Sequence, residues 1–448
     1  MSEHTHSDVP TDAARAHQLD RRHVFHSWSA QASLDPMVVT KAEGSWIWDE
    51  NGERLLDFTS QLVFTNLGHQ HPRIVRAIQE QAATLCTVAP AYANPARSEA
   101  AALIASHTPE GLDRVFFTNG GADANEHAIR MARLHTGRTK VLSTYRSYHG
   151  GTHLAVNVTG DPRRWASDQG AAGAVHFFGP FLYRSEFHAT TEAEEGERAL
   201  AHLERVIALE GPQTIAAIML ESIPGTAGIM LPPAGYLRGV RDLCDRHGIV
   251  YIADEVMCGF GRAGKWFAVE HDDVVPDLLT FAKGVNSGYV PLGGVAISEA
   301  IYQTFAERPY PGGLTYSGHP LACAAVIATI RAMEDEGVVE HADELGREVF
   351  GPGLAALAER HDCIGEVRGT GVFWAIELVA DRETREPLAP YGGSSPEMAA
   401  ILAACRAEGL LPFANFNRIH VVPPLTITAD EARQGLAMLD RALTKARG

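Results

Sequence analysis

Short apolar runs alternate with longer amphipathic stretches through the middle of the chain, the pattern of a parallel sheet covered by helices. Strands are predicted over residues 115–118, 140–143, 215–220, 249–253, 278–282 and 294–297. Helices are predicted over 73–85, 98–107, 123–134 and 321–334; in the third, Ala124, Ala128, Met131 and Ala132 share the buried side. Beyond about residue 335 the pattern changes to a helical stretch over 344–359, strands within 367–377 and 418–422, and a closing helix over 429–445. Near the front, residues 44–49 and 54–57 flank the turn Glu50-Asn51-Gly52, a strong hairpin signal because Asn-Gly accepts positive φ. The expected class is α/β: a large domain over 66–335 with a mainly parallel central sheet, and a smaller α+β domain built from both chain ends. The smaller domain takes residues 336–448 and is joined by 21–65, and residues 1–20 form a flexible tail.

Composition narrows the partners. The chain has 448 residues, 45% hydrophobic and 21% charged, as an ordinary globular protein does. Its formal charge of −17 argues against a nucleic-acid or anionic-membrane surface. Six scattered cysteines with no C-x-x-C pair weaken disulfide and zinc readings, and a reducing cytoplasm fits best. The polar first twelve residues contain no secretory signal, and their His4 and His6 read as a flexible end rather than a metal site. No apolar run approaches the roughly 18 residues of a membrane span.

Lys283 is the first chemical signal. It ends a buried apolar run and precedes the glycine-rich segment 284–294. A lysine there is a surface residue just outside the strand, or an amine that is paired, neutralised or covalently committed. A second run ends in Asp254-Glu255-Val256, so a carboxylate and a lysine sit at neighbouring strand ends. Asn119-Gly120-Gly121-Ala122-Asp123-Ala124-Asn125 joins a strand to a helix start, as a phosphate cradle or as a plain turn with Asp123 capping the helix. Tyr148 and His149 follow another strand, where the tyrosine offers a face for stacking or is structural. Thr315 precedes a helix as a phosphate-binding hydroxyl or as part of a helix-entry turn.

These segments together, with Asp254-Glu-Val-Met-Cys-Gly-Phe-Gly-Arg262, Gly288-Tyr-Val-Pro-Leu-Gly-Gly-Val295 and Ser317-Gly-His-Pro-Leu-Ala-Cys323, resemble the class III aminotransferases. These are pyridoxal-phosphate (PLP) enzymes of fold type I, and the resemblance runs from roughly His23 to the C-terminus. It implies that Lys283 forms the Schiff base with PLP and shuttles the substrate proton. By the same resemblance Asp254 pairs with the pyridinium nitrogen, Val256 and Tyr148 cover the ring faces, and Gly120, Gly121 and Ala122 hold the phosphate. His149 and Glu221 join the cofactor shell, Glu126 matches a further position, and Thr315 reaches in from a partner subunit, implying a homodimer or tetramer. Many relatives have Ser-Gly-Ser where this chain has Gly120-Gly121-Ala122, so hydroxyl contacts in that loop are lost and backbone donors remain.

Substrate signals are departures. Relatives acting on 4-aminobutyrate or ornithine carry an arginine where this chain has Gly151, so a carboxylate clamp is missing. Arg418 is the expected anion anchor, with His420 on the same strand face as the other candidate. Trp28, Leu62, Val63 and Phe64 match pocket-lining segments. The resemblance is to taurine- and β-alanine-type enzymes passing the amino group to pyruvate or 2-oxoglutarate by a ping-pong route. A decarboxylase or aminomutase on the same fold, a 4-aminobutyrate or ornithine type, and a non-catalytic binding protein are the alternatives.

Overall fold

The structure is a computed structural model that describes residues 13–167 and 173–447. The expected tail is only partly within this range. Residues 1–12, with His4 and His6, lie outside the described residues, whereas 13–20 belong to a helix, Ala13–His23. That helix buries none of its residues. It leans on the following turn through hydrogen bonds from His17 to Asp35 and between Asp20 and His26.

The front of the chain forms β1 (Val39–Glu43), β2 (Trp46–Asp49) and β3 (Arg54–Asp57), with β2 and β3 paired antiparallel around the Asn51-Gly52 turn. β4 (Arg114–Thr118), β5 (Lys140–Thr144), β6 (Ala174–Phe177), β7 (Ile215–Glu221), β8 (Val250–Asp254), β9 (Leu278–Phe281) and β10 (Gly293–Ile297) follow. Among the described residues they make a seven-stranded sheet in the order β4-β10-β9-β8-β7-β5-β6. β10 runs antiparallel to both neighbours and the remaining pairs are parallel. β7 and β8 are buried along their whole length, as a sheet with helices on both faces requires. Helices Gly121–Thr136, Glu192–Glu210, Tyr236–His247 and Pro320–Asp335 supply much of that cover.

The C-terminal part adds β11 (Ile364–Thr370), β12 (Phe373–Asp381), β13 (Glu386–Pro387), β14 (Leu410–Leu411), β15 (Phe413–Asn415) and β16 (Arg418–Val421). β11, β12, β16 and β15 lie side by side, with β13 on β12. β14 pairs in parallel with β3, so the two ends of the chain share one sheet. Among the described residues no helix is long and apolar enough to cross a membrane, and no cluster of His, Cys, Asp and Glu is arranged to hold a metal ion.

Candidate active site

Parallel strands end at one edge of the large sheet, and their carboxyl ends carry the ionisable groups. Glu221 and Asp254 are register partners at the ends of β7 and β8. Lys283 follows β9 after a single residue and opens a short 3-10 turn, Lys283–Asn286, with φ of +47°. A left-handed lysine costs about 1–2 kcal/mol, a strain that persists only where its surroundings hold it. Burial lowers the lysine's pKa against the upward pull of Asp254 and Glu221, and the charge of Arg163 lowers it further. The amine has no hydrogen-bond partner among the described residues.

Asp254 is held from three sides. Its Oδ2 accepts from Asn125 Nδ2 and His149 Nδ1, both at 2.7 Å, and its Oδ1 accepts from the Val256 amide at 3.0 Å. Asn125 is locked in turn, its Nδ2 donating to the His149 carbonyl at 2.7 Å and its Oδ1 accepting from Thr280 Oγ1 at 2.6 Å. Burial would lower the His149 pKa, but the hydrogen bond and charge of Asp254 raise it. His149 Nε2 meets Ser143 Oγ at 3.1 Å. This network fixes the position and orientation of the carboxylate.

Above it lies a cavity of about 480 Å³ lined by Lys283, Asp254, Tyr148, His149, Val256 and the turn 119–122. Gly120 is the N-cap of the helix Gly121–Thr136, whose first amides have no partner inside the helix. Gly121 is glycine for a steric reason: a Cβ there would stand 2.7 Å from a Val256 methyl. Tyr148 also borders the cavity, and the Arg163 guanidinium lies 3.4 Å over its ring. Glu221 accepts from the Tyr148 amide at 2.9 Å through one oxygen and from the Gly225 amide at 2.8 Å through the other. Burial and the neighbouring Asp254 raise its pKa, while His149 opposes them.

Trp28 and Phe64 line this cavity, and Trp28 and Leu62 line an adjoining one of about 610 Å³. Trp28 and Leu62 remain exposed, at 69% and 46%. Leu62 stands in a contorted segment in which Ser60, Gln61 and Val63 have φ of +43°, +61° and +59°. For a β-branched valine that is an outlier. The Asp57 carboxylate accepts from the Thr59 amide and hydroxyl and from Gln61 Nε2, while Arg262 donates to Ser60 Oγ at 3.2 Å and Asn66 Oδ1 at 2.9 Å.

Other expected residues stand elsewhere. Thr315 is exposed and lines neither cavity. Arg418, the expected anion anchor, also borders neither cavity. It is 3% exposed and pairs with Asn415 across β15–β16, so β15, with Phe413 and Asn415, stands between it and the cavity. His420 is buried one strand back as well, stacked on Phe413 with Nε2 at 3.2 Å from the Gly225 carbonyl. Gly151 is exposed, and a Cβ there would meet nothing within 4 Å, so packing does not dictate its missing side chain. Glu126 caps the short helix His153–Val158, accepting from Thr152 Oγ1 at 2.6 Å and the Leu154 amide at 2.9 Å.

Sequence reasoning missed Asn125, Thr280 and Arg163 as site residues. Asn125 lies one helical turn after Gly121, a spacing that aims it back at the strand ends. Nothing local in the sequence marks Arg163.

The arrangement can bind an anion at a helix N-terminus, hold a cationic heteroatom against a buried carboxylate and offer an amine between them. Those are the needs of a fold type I PLP enzyme. The sequence matches the family Aminotransferase class-III over residues 28–443. The chain belongs to the class III aminotransferases, whose cofactor is PLP. Its structure is similar to that of a taurine:2-oxoglutarate aminotransferase from Bifidobacterium kashiwanohense in complex with PLP and glutamate. The two are 44% identical with a TM-score of 0.94, covering 99% of both chains. It is also similar to an (S)-enantioselective omega-transaminase from Thermomicrobium roseum, 34% identical with a TM-score of 0.91, covering 98% of this chain and 99% of that one. In sequence it is 36% identical over 431 residues to the taurine–pyruvate aminotransferase of Rhodobacter capsulatus, covering 90% of this chain and 89% of the relative.

Proposed function

We propose that this chain moves the amino group of a taurine-type ω-amino acid to pyruvate or 2-oxoglutarate in a ping-pong cycle. The observation that carries the reading is the convergence of an unpaired, burial-depressed lysine amine and a triply hydrogen-bonded aspartate in one cavity. The donor class rests on similarity to taurine aminotransferases over nearly the whole chain.

The residues present fit PLP. When bound, PLP supplies an electron sink for negative charge at the carbon that carries the amine. Lys283 Nζ would hold the cofactor and, as a free amine, would take the proton from that carbon onto Nζ and give the same proton back to the adjoining cofactor carbon. Its depressed pKa keeps the free amine available as a base nearer neutral pH. Asp254 would keep a ring nitrogen protonated, and its three donors stop the carboxylate from turning away. Val256 and the face of Tyr148 not covered by Arg163 confine the ring. The amides of Gly121 and Ala122, at the positive end of a helix, suit the phosphate.

Thr315, exposed and away from its own chain's cavity, suits a phosphate contact across a homodimer. None of the six cysteines is in a disulfide, which suits a cytoplasmic enzyme. The test is a half-reaction screen in which the PLP form is mixed with taurine, β-alanine, 4-aminobutyrate or a neutral amine, and the cofactor absorbance is followed. Taurine or β-alanine should bleach it fastest. A response to neutral amines alone would overturn the donor class, and carbon dioxide release without a keto acid would overturn transamination.

A further inference from the structure

We propose that Arg163 receives the acidic group of the amino donor, its sulfonate or carboxylate, at the end of the substrate opposite Lys283. The proposal rests on the ω-amino-acid reading above and names the residue that gives that reading its selectivity.

The outer cavity of about 610 Å³ shares Trp28, Tyr148, Thr226, Met257 and Lys283 with the inner one, so the two adjoin at Lys283. Arg163 and Lys283 are the cationic side chains of its described lining, and no carboxylate is among them. Much of the remaining wall is apolar, from Leu62, Val63, Trp165 and Phe413. Lys283 is engaged at the amine end, which leaves Arg163 to meet an anion.

The guanidinium is held on two sides. Its Nε donates to Asp161 at 2.9 and 3.1 Å, and Nη2 donates to the same carboxylate. Its Cζ lies 3.4 Å from the centroid of the Tyr148 ring. Asp161 is itself tied down by the Arg163 amide at 2.9 Å. The side chain of Arg163 is 31% exposed and that of Asp161 7%. Nη1 has no hydrogen-bond partner among the described residues. A planar donor fixed along one edge and one face, on a residue that lines the cavity and with one nitrogen unpaired, is prepared for an oxyanion at little further cost in side-chain entropy. A neutral amine leaves that donor to water. Arg418, the arginine expected from the sequence to hold the anion, borders neither cavity.

The test compares the holoenzyme with Arg163→Met, which keeps a flexible apolar chain over the Tyr148 ring. Rates of the donor half-reaction are measured for taurine, β-alanine and propylamine, whose tail is neutral. The expected result is a fall of roughly 10- to 150-fold in the taurine-to-propylamine ratio of kcat/KM, the value of a hydrogen bond to a charged group. Arg163→Lys should recover part of it. Because Arg163→Met leaves Asp161 without its cation, the double change Asp161→Asn with Arg163→Gln repeats the measurement with neither charge present. An unchanged ratio in these variants, with both donors slowed alike, would make Arg163 a support for Tyr148 and overturn the proposal. If the wild-type enzyme consumes propylamine but neither acidic donor, the donor reading falls and takes this proposal with it. If the wild type consumes taurine and only the ratio test fails, the donor reading stands and Arg163 alone is dismissed.

Discussion

Asp254 at the end of β8 and Arg418 at the start of β16 are buried to the same degree, 3% exposed each, yet their surroundings differ in kind. Asp254 borders the cavity and has both oxygens engaged by donors that are themselves held. Arg418 is closed off from the cavity, and its Nε has no hydrogen-bond partner among the described residues. Burial lowers its pKa to about 10, against the nearby charge of Glu377. Glu377 is engaged by Arg368 Nη2 at 2.8 Å, Arg184 Nε at 3.1 Å and Asn417 Nδ2 at 3.2 Å. The first region presents its buried charge to the cavity, and the second uses it to tie the β11–β12 hairpin to Arg184 and Gly228. A buried charge marks a functional site only where open space meets it.

The contrast is broken most directly at the cavity. Lys283→Ala should lower turnover by at least about 10⁴-fold, the upper range of a positioned proton-transfer group, with circular dichroism unchanged. Steady-state rates near wild type would remove the lysine from the chemistry. Asp254→Asn keeps the shape but loses the charge, and should cut the half-reaction rate by about 100-fold. The same change should lower the His149 imidazole pKa, read by NMR, since Asp254 is what raises it.

In the second region the expected effect is on stability. Burial would raise the Glu377 pKa, but Arg368, Arg418 and Asn417 bring it down to about 2. A carboxylate with a depressed folded pKa contributes fully above its unfolded value near 4.5, and the contribution is lost as pH falls towards 2. Glu377→Gln should therefore destabilise the fold by roughly 3 kcal/mol at pH 7, with the difference vanishing near pH 2. Urea midpoints across that range check it, and a constant difference would dismiss the linkage. The smallest effect on selectivity is expected from Arg418→Met, which should change the taurine-to-propylamine ratio by less than about twofold, since Arg418 borders neither cavity. A large drop would return Arg418 to the substrate pocket.

The strands that carry the site were readable because an apolar run in a sheet buried on both faces admits few alternatives; β7, β8 and β9 lie within one or two residues of their expected ends. Lys283, Asp254 and the 119–122 turn were readable because each ends such a run. β6 and the helices Glu192–Glu210 and Tyr236–His247 were not assigned from the sequence, and Arg163 shows why some chemistry was not readable either. It sits on a loop, and its place over Tyr148 depends on Asp161 and on tertiary packing rather than on any local period. Arg418 is the complementary case. Alternation put it and His420 on one face, and their partners across β15, Asn415 and Phe413, do line the cavity. Which of two adjacent strands is nearer the cavity is a property of the sheet, not of either strand's sequence.

The backbone around Leu62 is set by Asp57, Arg262 and their partners, and the Leu62 side chain is largely exposed. The identity of this wall residue is thereby uncoupled from its position. Exchanging Leu62 alters the lining of the outer cavity without disturbing the scaffold that presents it, so the shape of that cavity can drift between descendants of one ancestor through single codons while the buried network stays fixed.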